Sequence, residues 1–571
     1  MRRRQRKLRL MTGAASLVFF IAASLCFGFA LEGLDTYGIL GFRISEDAVS
    51  ILDVLPFFNT KAESRILYPT GNVENQIVMV NLSEKKTEWL NEEKVKKAEQ
   101  LLNTTLTKYI SDVSRGGVIV HSTLYGYQDH NVKDGYVPSK PLSYYIEDKA
   151  KEAQREAELL NEVIEQMNEN QALSDKTVAE LDTNDDGYID NMTFLIRGNK
   201  HYEHNLLWPH QFSIKSRPTI ECKDGDLKVK DYMVILSGDD EQNITGSRSG
   251  LFSERIDMGV VAHEYLHLYG FPDMYHNYKY ENDEFVSLES GERKGDPLGQ
   301  WDVMDNTIND KPQNPLYYTN MAYGPWNERL DNVFTITEST KHVELQKLDY
   351  TKAGKMAAII KVDASVNARA EDEYFMVEYR KKEGWDEKLP SDGLLVYRIN
   401  MAANYKNPEE AIRKYCSNKD NGKQTYCGNQ FGPADEVYIF RPNVTTINPS
   451  EAGSHDFDLY DAALSADHGH KNSLGKKLSE VNGYQAQELA NTIYFSDGSN
   501  SGIVISNVSD TKKDTISFDI TIPEPTDDTQ KPEIDEAIEG SGIEGRCTSQ
   551  AASISMYISD KGFGLDKIEV T

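Results

Sequence analysis

VAHEYLHLYGFPDMY, Val261 to Tyr275, is the stretch from which the rest of the chain is read. His263 and His267 stand four residues apart, so on a helix both project from one face and can reach one metal ion. Glu264 lies beside them, placed to take a proton from a water that the metal activates. Gly270 follows three residues after His267 and can take the positive φ that ends a helix, and Pro272 prevents continuation. Asp273 then stands where a returning chain can supply a third ligand, with His276, Glu281 and Asp283 as nearby alternatives. Two imidazoles and a carboxylate suit Zn²⁺ with one coordination position left open, the arrangement in which a zinc-held water has a pKa of about 7. The competing reading is an amphipathic helix with two unconnected histidines. The long pattern HExxHxxGxxD arises by accident much less readily than HExxH alone.

The elements around this run predict an α/β region over residues 76–330. QIVMVNL, Gln76 to Leu82, reads as a buried strand, Trp89 to Leu102 has helical spacing, and Val118 to Val120 is a further strand. Lys149 to Met167 carries apolar residues along one side of a long helix. Met192 to Ile196 and Tyr232 to Leu236 are strands, and a helix is expected from about Ile256 to Tyr269. Strands with a backing helix ahead of the histidine helix fit an α/β domain. GQWDVMD, Gly299 to Asp305, contains Met304 in the manner of the Met-turn beneath metzincin metal sites.

After residue 330 the texture changes to short apolar runs separated by turn residues. Val343–Leu345, Met356–Val362, Tyr374–Arg380, Leu394–Ile399, Val437–Phe440, Ile493–Phe495, Ile503–Ile505 and Ile516–Ile522 predict an all-β, sandwich-like region over 331–522. Residues 523–536 have linker composition. Residues 537–571 read as the start of a truncated, Ig-like β module.

The chain has 571 residues and a formal net charge of −29. Such a surface repels nucleic acid and anionic lipid, and most of the charge serves solubility. Arg2, Arg3, Arg4, Arg6, Lys7 and Arg9 precede an uncharged stretch from Met11 to Ala30, which reads as a signal peptide over 1–30 and places the remainder outside the cell. Residues 31–75 read as an N-terminal extension or short propeptide. Of five cysteines, Cys416 and Cys427 enclose a short polar loop and are a candidate disulfide in an oxidising compartment.

DTNDDGYIDNMT, Asp182 to Thr193, sets oxygen donors at positions 1, 3, 5 and 9 of a calcium loop: Asp182, Asn184, Asp186 and Asp190. Gly187 occupies the turning position and the Tyr188 carbonyl the seventh. Thr193 replaces the usual bidentate glutamate. The expectation is a structural Ca²⁺ site, and the alternative is an acidic turn held by Asx hydrogen bonds.

Taken together, HEYLHLYGFPD, GQWDVMD and LWPHQF (Leu207 to Phe212) resemble the immune inhibitor A family of bacterial secreted zinc metallopeptidases. Tyr374 to Asn400 and Ser501 to Asp510 resemble later parts of that family, so the likeness covers roughly residues 76–522. It implies a zincin-like catalytic domain over 76–330, catalytic zinc held by His263, His267 and Asp273, Glu264 as general base, and calcium for stability. It also implies protein or peptide substrates, with the β domains open to cell-surface or carbohydrate contacts. The chain departs from the pattern in its short N-terminal extension and in having no tyrosine close after Met304. Tyr317, Tyr318 and His210 are the remaining candidates to stabilise an oxyanion. A second reading is a surface-displayed binding protein whose peptidase-like domain does not turn over.

Overall fold

The computed structural model describes residues 68–83, 89–128, 131–146, 151–197, 209–237, 257–281, 284–287, 297–308, 311–326, 332–400, 428–430, 435–442, 459–467, 471–478, 491–525, 533–534 and 558–559. The signal-peptide reading of 1–30, residues 31–67, Cys416, Cys427 and Asp283 lie outside them, as does most of 526–571.

Up to residue 330 the order is β1 (Gly71–Asn81), α1 (Glu92–Leu101), a π-helical turn, α2 (Thr107–Val113), β2 (Val118–Tyr125), α3 (Leu142–Ile146), α4 (Glu152–Glu169), α5 (Val178–Leu181) and β3 (Met192–Arg197). There follow β4 (His210–Ser213), the hairpin β5 (Thr219–Glu221) and β6 (Asp226–Lys228), β7 (Asp231–Ser237), α6 (Met258–His267), the hairpin β8 (Tyr278–Glu281) and β9 (Glu284–Ser287), and α7 (Tyr317–Tyr323). The main sheet runs β2-β1-β3-β7-β4, with β2, β1, β3 and β7 parallel and β4 antiparallel at the edge.

Both faces of this sheet are covered, which is why β1 and β3 read as nearly unbroken apolar runs. Val78, Val80, Phe194 and Ile196 share a core with Leu160 and Ile164 of α4. On the opposite face Ile77, Met79, Leu195 and Met233 share a core with Ile110 of α2 and with Val261, Ala262 and Tyr265 of α6. The histidine helix is therefore a core helix, apolar on most sides, and its two imidazoles are fixed by packing.

Beyond residue 330 come β10 (Val333–Ile336), β11 (Thr340–Gln346), β12 (Ala357–Ile360), β13 (Glu373–Arg380), β14 (Gly393–Asn400), β15 (Val437–Ile439), β16 (Val504–Ser506) and β17 (Thr515–Thr521). They form a five-stranded sheet, β10-β12-β13-β14-β15, antiparallel except between β10 and β12, and a three-stranded antiparallel sheet, β11-β17-β16. The larger sheet also has apolar cores on both faces. Phe375, Val377, Leu394 and Val396 meet Leu345, Ile516 and Phe518 of the smaller sheet. Met376, Leu395, Tyr397 and Ile399 belong instead to the core that holds α6, Trp301 and Met304. The expected strand at Ile493–Phe495 forms only a single bridge between Tyr494 and Asn500, because Phe495 donates to the Ser499 carbonyl and the chain turns at once.

A buried ionic group joins the two parts of this shared core. Arg380, fully buried, donates to both oxygens of Asp386 at 2.8 Å and to Glu378 at 3.2 Å. It also donates to the carbonyls of Trp301 (2.7 Å) and Asn314 (3.2 Å). Each acceptor offsets part of the large cost of desolvating a guanidinium, so removing one partner would leave buried charge unpaired. Among the described residues no helix is long and apolar enough to cross a membrane.

Candidate metal centre

Helix α6 starts at a local cap, the Asp257 side chain accepting from the Val260 amide at 3.1 Å. It stops after His267, and Gly270 takes φ +86°, which turns the chain back toward the helix. That return brings Asp273 to the histidines. His263 Nε2 lies 3.1 Å from His267 Nε2 and 3.1 Å from Asp273 Oδ1, and His267 Nε2 lies 3.2 Å from the same oxygen. Among the described residues this is the one group of three His, Cys, Asp or Glu side chains with ligand atoms within 4.8 Å of one another.

The remaining ring nitrogens determine what this triangle can do. His263 Nδ1 donates to the Val303 carbonyl at 2.8 Å, and His267 Nδ1 donates to the Phe271 carbonyl at 2.6 Å. A carbonyl can only accept, so each Nδ1 carries a proton and each neutral ring presents an Nε2 lone pair to the centre. Asp273 Oδ2 is held from outside by Asn277 Nδ2 at 3.1 Å, which leaves Oδ1 facing inward. With both rings neutral, three electron pairs converge, an arrangement that repels itself unless a proton or a metal cation sits between them. Zinc bonds of about 2.0–2.2 Å in tetrahedral geometry put ligand atoms roughly 3.3–3.6 Å apart, a little wider than the edges of this triangle.

Electrostatics agree. Burial alone would raise the Asp273 carboxyl, but His267 and His263 hold it far below the usual carboxylate range. Burial alone would lower His267, but Asp273 and Glu264 raise it to about 9. The site stabilises one positive charge, which a metal cation could supply in place of a proton. Glu264 is buried beside the triangle. Burial pushes its carboxyl up, against the opposing pull of His263 and His267.

Met304 is fully buried, and its loop supports the centre through the backbone. Val303 orients His263, and the Met304 carbonyl accepts from the Met274 amide at 2.8 Å. Asp302 and Asp305 fix that loop by accepting backbone amides of Met304, Leu316, Leu298 and Gly299. The alternative third ligand His276 points elsewhere, its Nε2 lying 2.6 Å from Asp435. The oxyanion candidates are also engaged. His210 pairs with Glu156 at 2.9 Å, the Tyr317 hydroxyl accepts from the Asn332 amide, and the Tyr318 hydroxyl donates to Glu436.

The acidic loop at 182–190 is built differently. Asp182 accepts the amides of Asp186 and Gly187 at 3.0 and 2.8 Å, Asp186 accepts that of Tyr188 at 3.0 Å, and Asp190 accepts Thr183 Oγ1 at 2.8 Å. Asn184 Oδ1 has no hydrogen-bond partner. Burial, with smaller contributions from Asp182 and Asp186, pushes the Asp190 carboxyl up to about 7.

Sequence reasoning missed Asn277 and the carbonyls of Val303 and Phe271. Asn277 lies four residues past Asp273 and could have been tested as its partner, whereas a carbonyl's role leaves no mark in residue identity. It also missed the edge strand β4, which packs beside α6. No protein-family model matches the chain, and no curated protein matches it.

Proposed function

We propose that this chain is a secreted zinc endopeptidase of the immune inhibitor A type, and that the inward-facing triangle of His263, His267 and Asp273 is its metal site. The observation that carries this reading is the convergence of His263 Nε2, His267 Nε2 and Asp273 Oδ1, each side chain oriented by an outer hydrogen bond. The donor set fits zinc, which when bound supplies Lewis acidity toward a water and a carbonyl oxygen. Glu264 adjoins the ligands without joining the triangle. A buried carboxylate whose affinity for protons is raised can take the proton of an attacking water and pass it to the leaving amine.

A peptide substrate fits the edge strand. β4 borders the sheet next to α6, no described strand pairs with its outer edge, and Phe212 on it is exposed. The 182–190 loop we assign to a stabilising calcium ion, supported by the unpartnered Asn184 oxygen and the oxygen-only donor set. The N-terminal signal pattern supports export, to the medium or the cell surface of a bacterium.

The test is metal analysis joined to cleavage of a peptide library. Expected are one zinc per chain and hydrolysis that a strong chelator removes and zinc restores. Undiminished hydrolysis by metal-stripped protein would refute the assignment. Zinc binding without any hydrolysis would instead favour a displayed binding protein.

A further inference from the structure

The loop that presents Asp273 is held from its outer side by residues of the downstream, β-rich region. Gln430, 157 residues beyond Asp273, points its side-chain amide at Asp273 Oδ2 from 3.5 Å, on the oxygen that Asn277 also holds. A shorter backbone bond fixes that approach, the Asn277 amide donating to the Gln430 carbonyl at 2.9 Å. One residue earlier His276 meets Asp435 at 2.6 Å, both side chains buried. Gly428 takes φ +50°, and a Cβ there would stand 2.6 Å from the Asp273 carbonyl oxygen and 2.7 Å from Met274 Sδ. Asn429, fully buried, fastens this segment to the start of β15 by bonding both the amide and the carbonyl of Val437, at 3.0 and 2.9 Å.

We propose that Gln430 and Asp435 are positioning residues of the metal centre, and that residues 428–430 with Asp435 form its outer wall. The inference rests on reading the triangle as the zinc site. A carboxylate on a turn can rotate and offer either oxygen. Donors gathered on Oδ2 remove that freedom and leave Oδ1 as the inward ligand atom. The His276–Asp435 pair and the Asn277–Gln430 backbone bond hold the turn itself, so the wall acts on Asp273 through both side chain and backbone. The downstream region therefore completes the metal site.

The experiment measures zinc affinity of the full chain by competition with a chromophoric chelator, together with the visible spectrum of the cobalt(II)-loaded protein and the melting temperature of the metal-free protein. Gln430→Met keeps length but removes the donor, and Gln430→Glu sets an acceptor against Asp273. Outer hydrogen-bond partners of metal ligands typically account for 10–100-fold in affinity. Expected is a loss of about tenfold for Gln430→Met, a larger loss for Gln430→Glu, a shifted cobalt spectrum in both, and little change in metal-free melting, since Gln430 is only half-buried. Gly428→Ala, which presses on the same turn without touching Gln430, should also weaken zinc. Parent-like affinity and spectra in both Gln430 variants overturn the proposal while leaving the zinc reading intact. A parent chain that binds no zinc overturns both. Zinc binding with the expected ranking but no peptide hydrolysis removes only the proposed activity.

Discussion

Two regions of this molecule gather acidic or basic side chains in the way cation sites do, and they differ in where the hydrogen-bond donors are. In the His263–His267–Asp273 triangle every donor is spent on the outside, and three acceptors face one another at 3.1–3.2 Å. In the 182–190 loop the donors are inside, backbone amides that already cap Asp182 and Asp186. The first arrangement needs a positive charge to be stable, whereas the second is a sound turn without one. A cation should consequently be integral to the triangle and an added stabiliser for the loop.

The largest effect should come from the group that handles the proton. Glu264→Gln should retain zinc, since Glu264 is outside the triangle, and lose about 10²–10⁴-fold in turnover. Metal content and peptide hydrolysis measured on the same sample check this, and near-parent turnover would place the proton transfer on another group. Next in size is the triangle itself. Asp273→Ala should weaken zinc by more than the roughly 100-fold of an outer-sphere change, with His276→Ala losing less. The reverse ranking would move the third ligand to His276. Stripping zinc from the parent should then lower its melting temperature, because zinc at a thousandfold above its Kd stabilises the folded chain by about 4 kcal/mol. Calorimetry with and without chelator reads this directly. The smallest effect belongs to the acidic loop. Calcium at tenfold above its Kd adds about 1.4 kcal/mol, and Asp186→Ala should blunt the shift. Melting that ignores millimolar calcium would reduce the loop to its Asx turns.

What the sequence revealed and what it concealed divide along the same line, between local and distant contacts. The helix α6, its stop at Gly270 and the return of Asp273 all fall within the sixteen residues from Met258 to Asp273, so spacing and φ preference expose them. The main-sheet strands β1, β3 and β7 and the strands β13 and β14 were visible as apolar runs. Apolar cores cover both faces of both sheets, which the sandwich expected for 331–522 did not anticipate for the larger of the later sheets. Past residue 330 the sheets are mainly antiparallel, and the core around α6 extends into them to Tyr397 and Ile399. Nothing local marks Gln430 or Asp435, because a polar residue in a turn has the same identity whether it faces water or a ligand loop 157 residues away. The brief edge strand β4 has only four residues, three of them polar, too little pattern to register as a strand.

The shared core also sets the order in which the protein acquires its properties during synthesis. A chain emerges from the ribosome N-terminus first, at about 5–20 residues per second. The 170 residues that separate His267 from Val437 therefore take roughly ten to thirty seconds to appear. Through most of that interval the two histidines exist without the complete five-stranded sheet and without the wall behind Asp273. A chain stopped short of Gly428 is expected to bind cobalt weakly, and parent-like binding by such a chain would remove the delay. On the proposed zinc reading metal competence thus arrives late, and a nascent chain carries the histidine motif well before the finished centre.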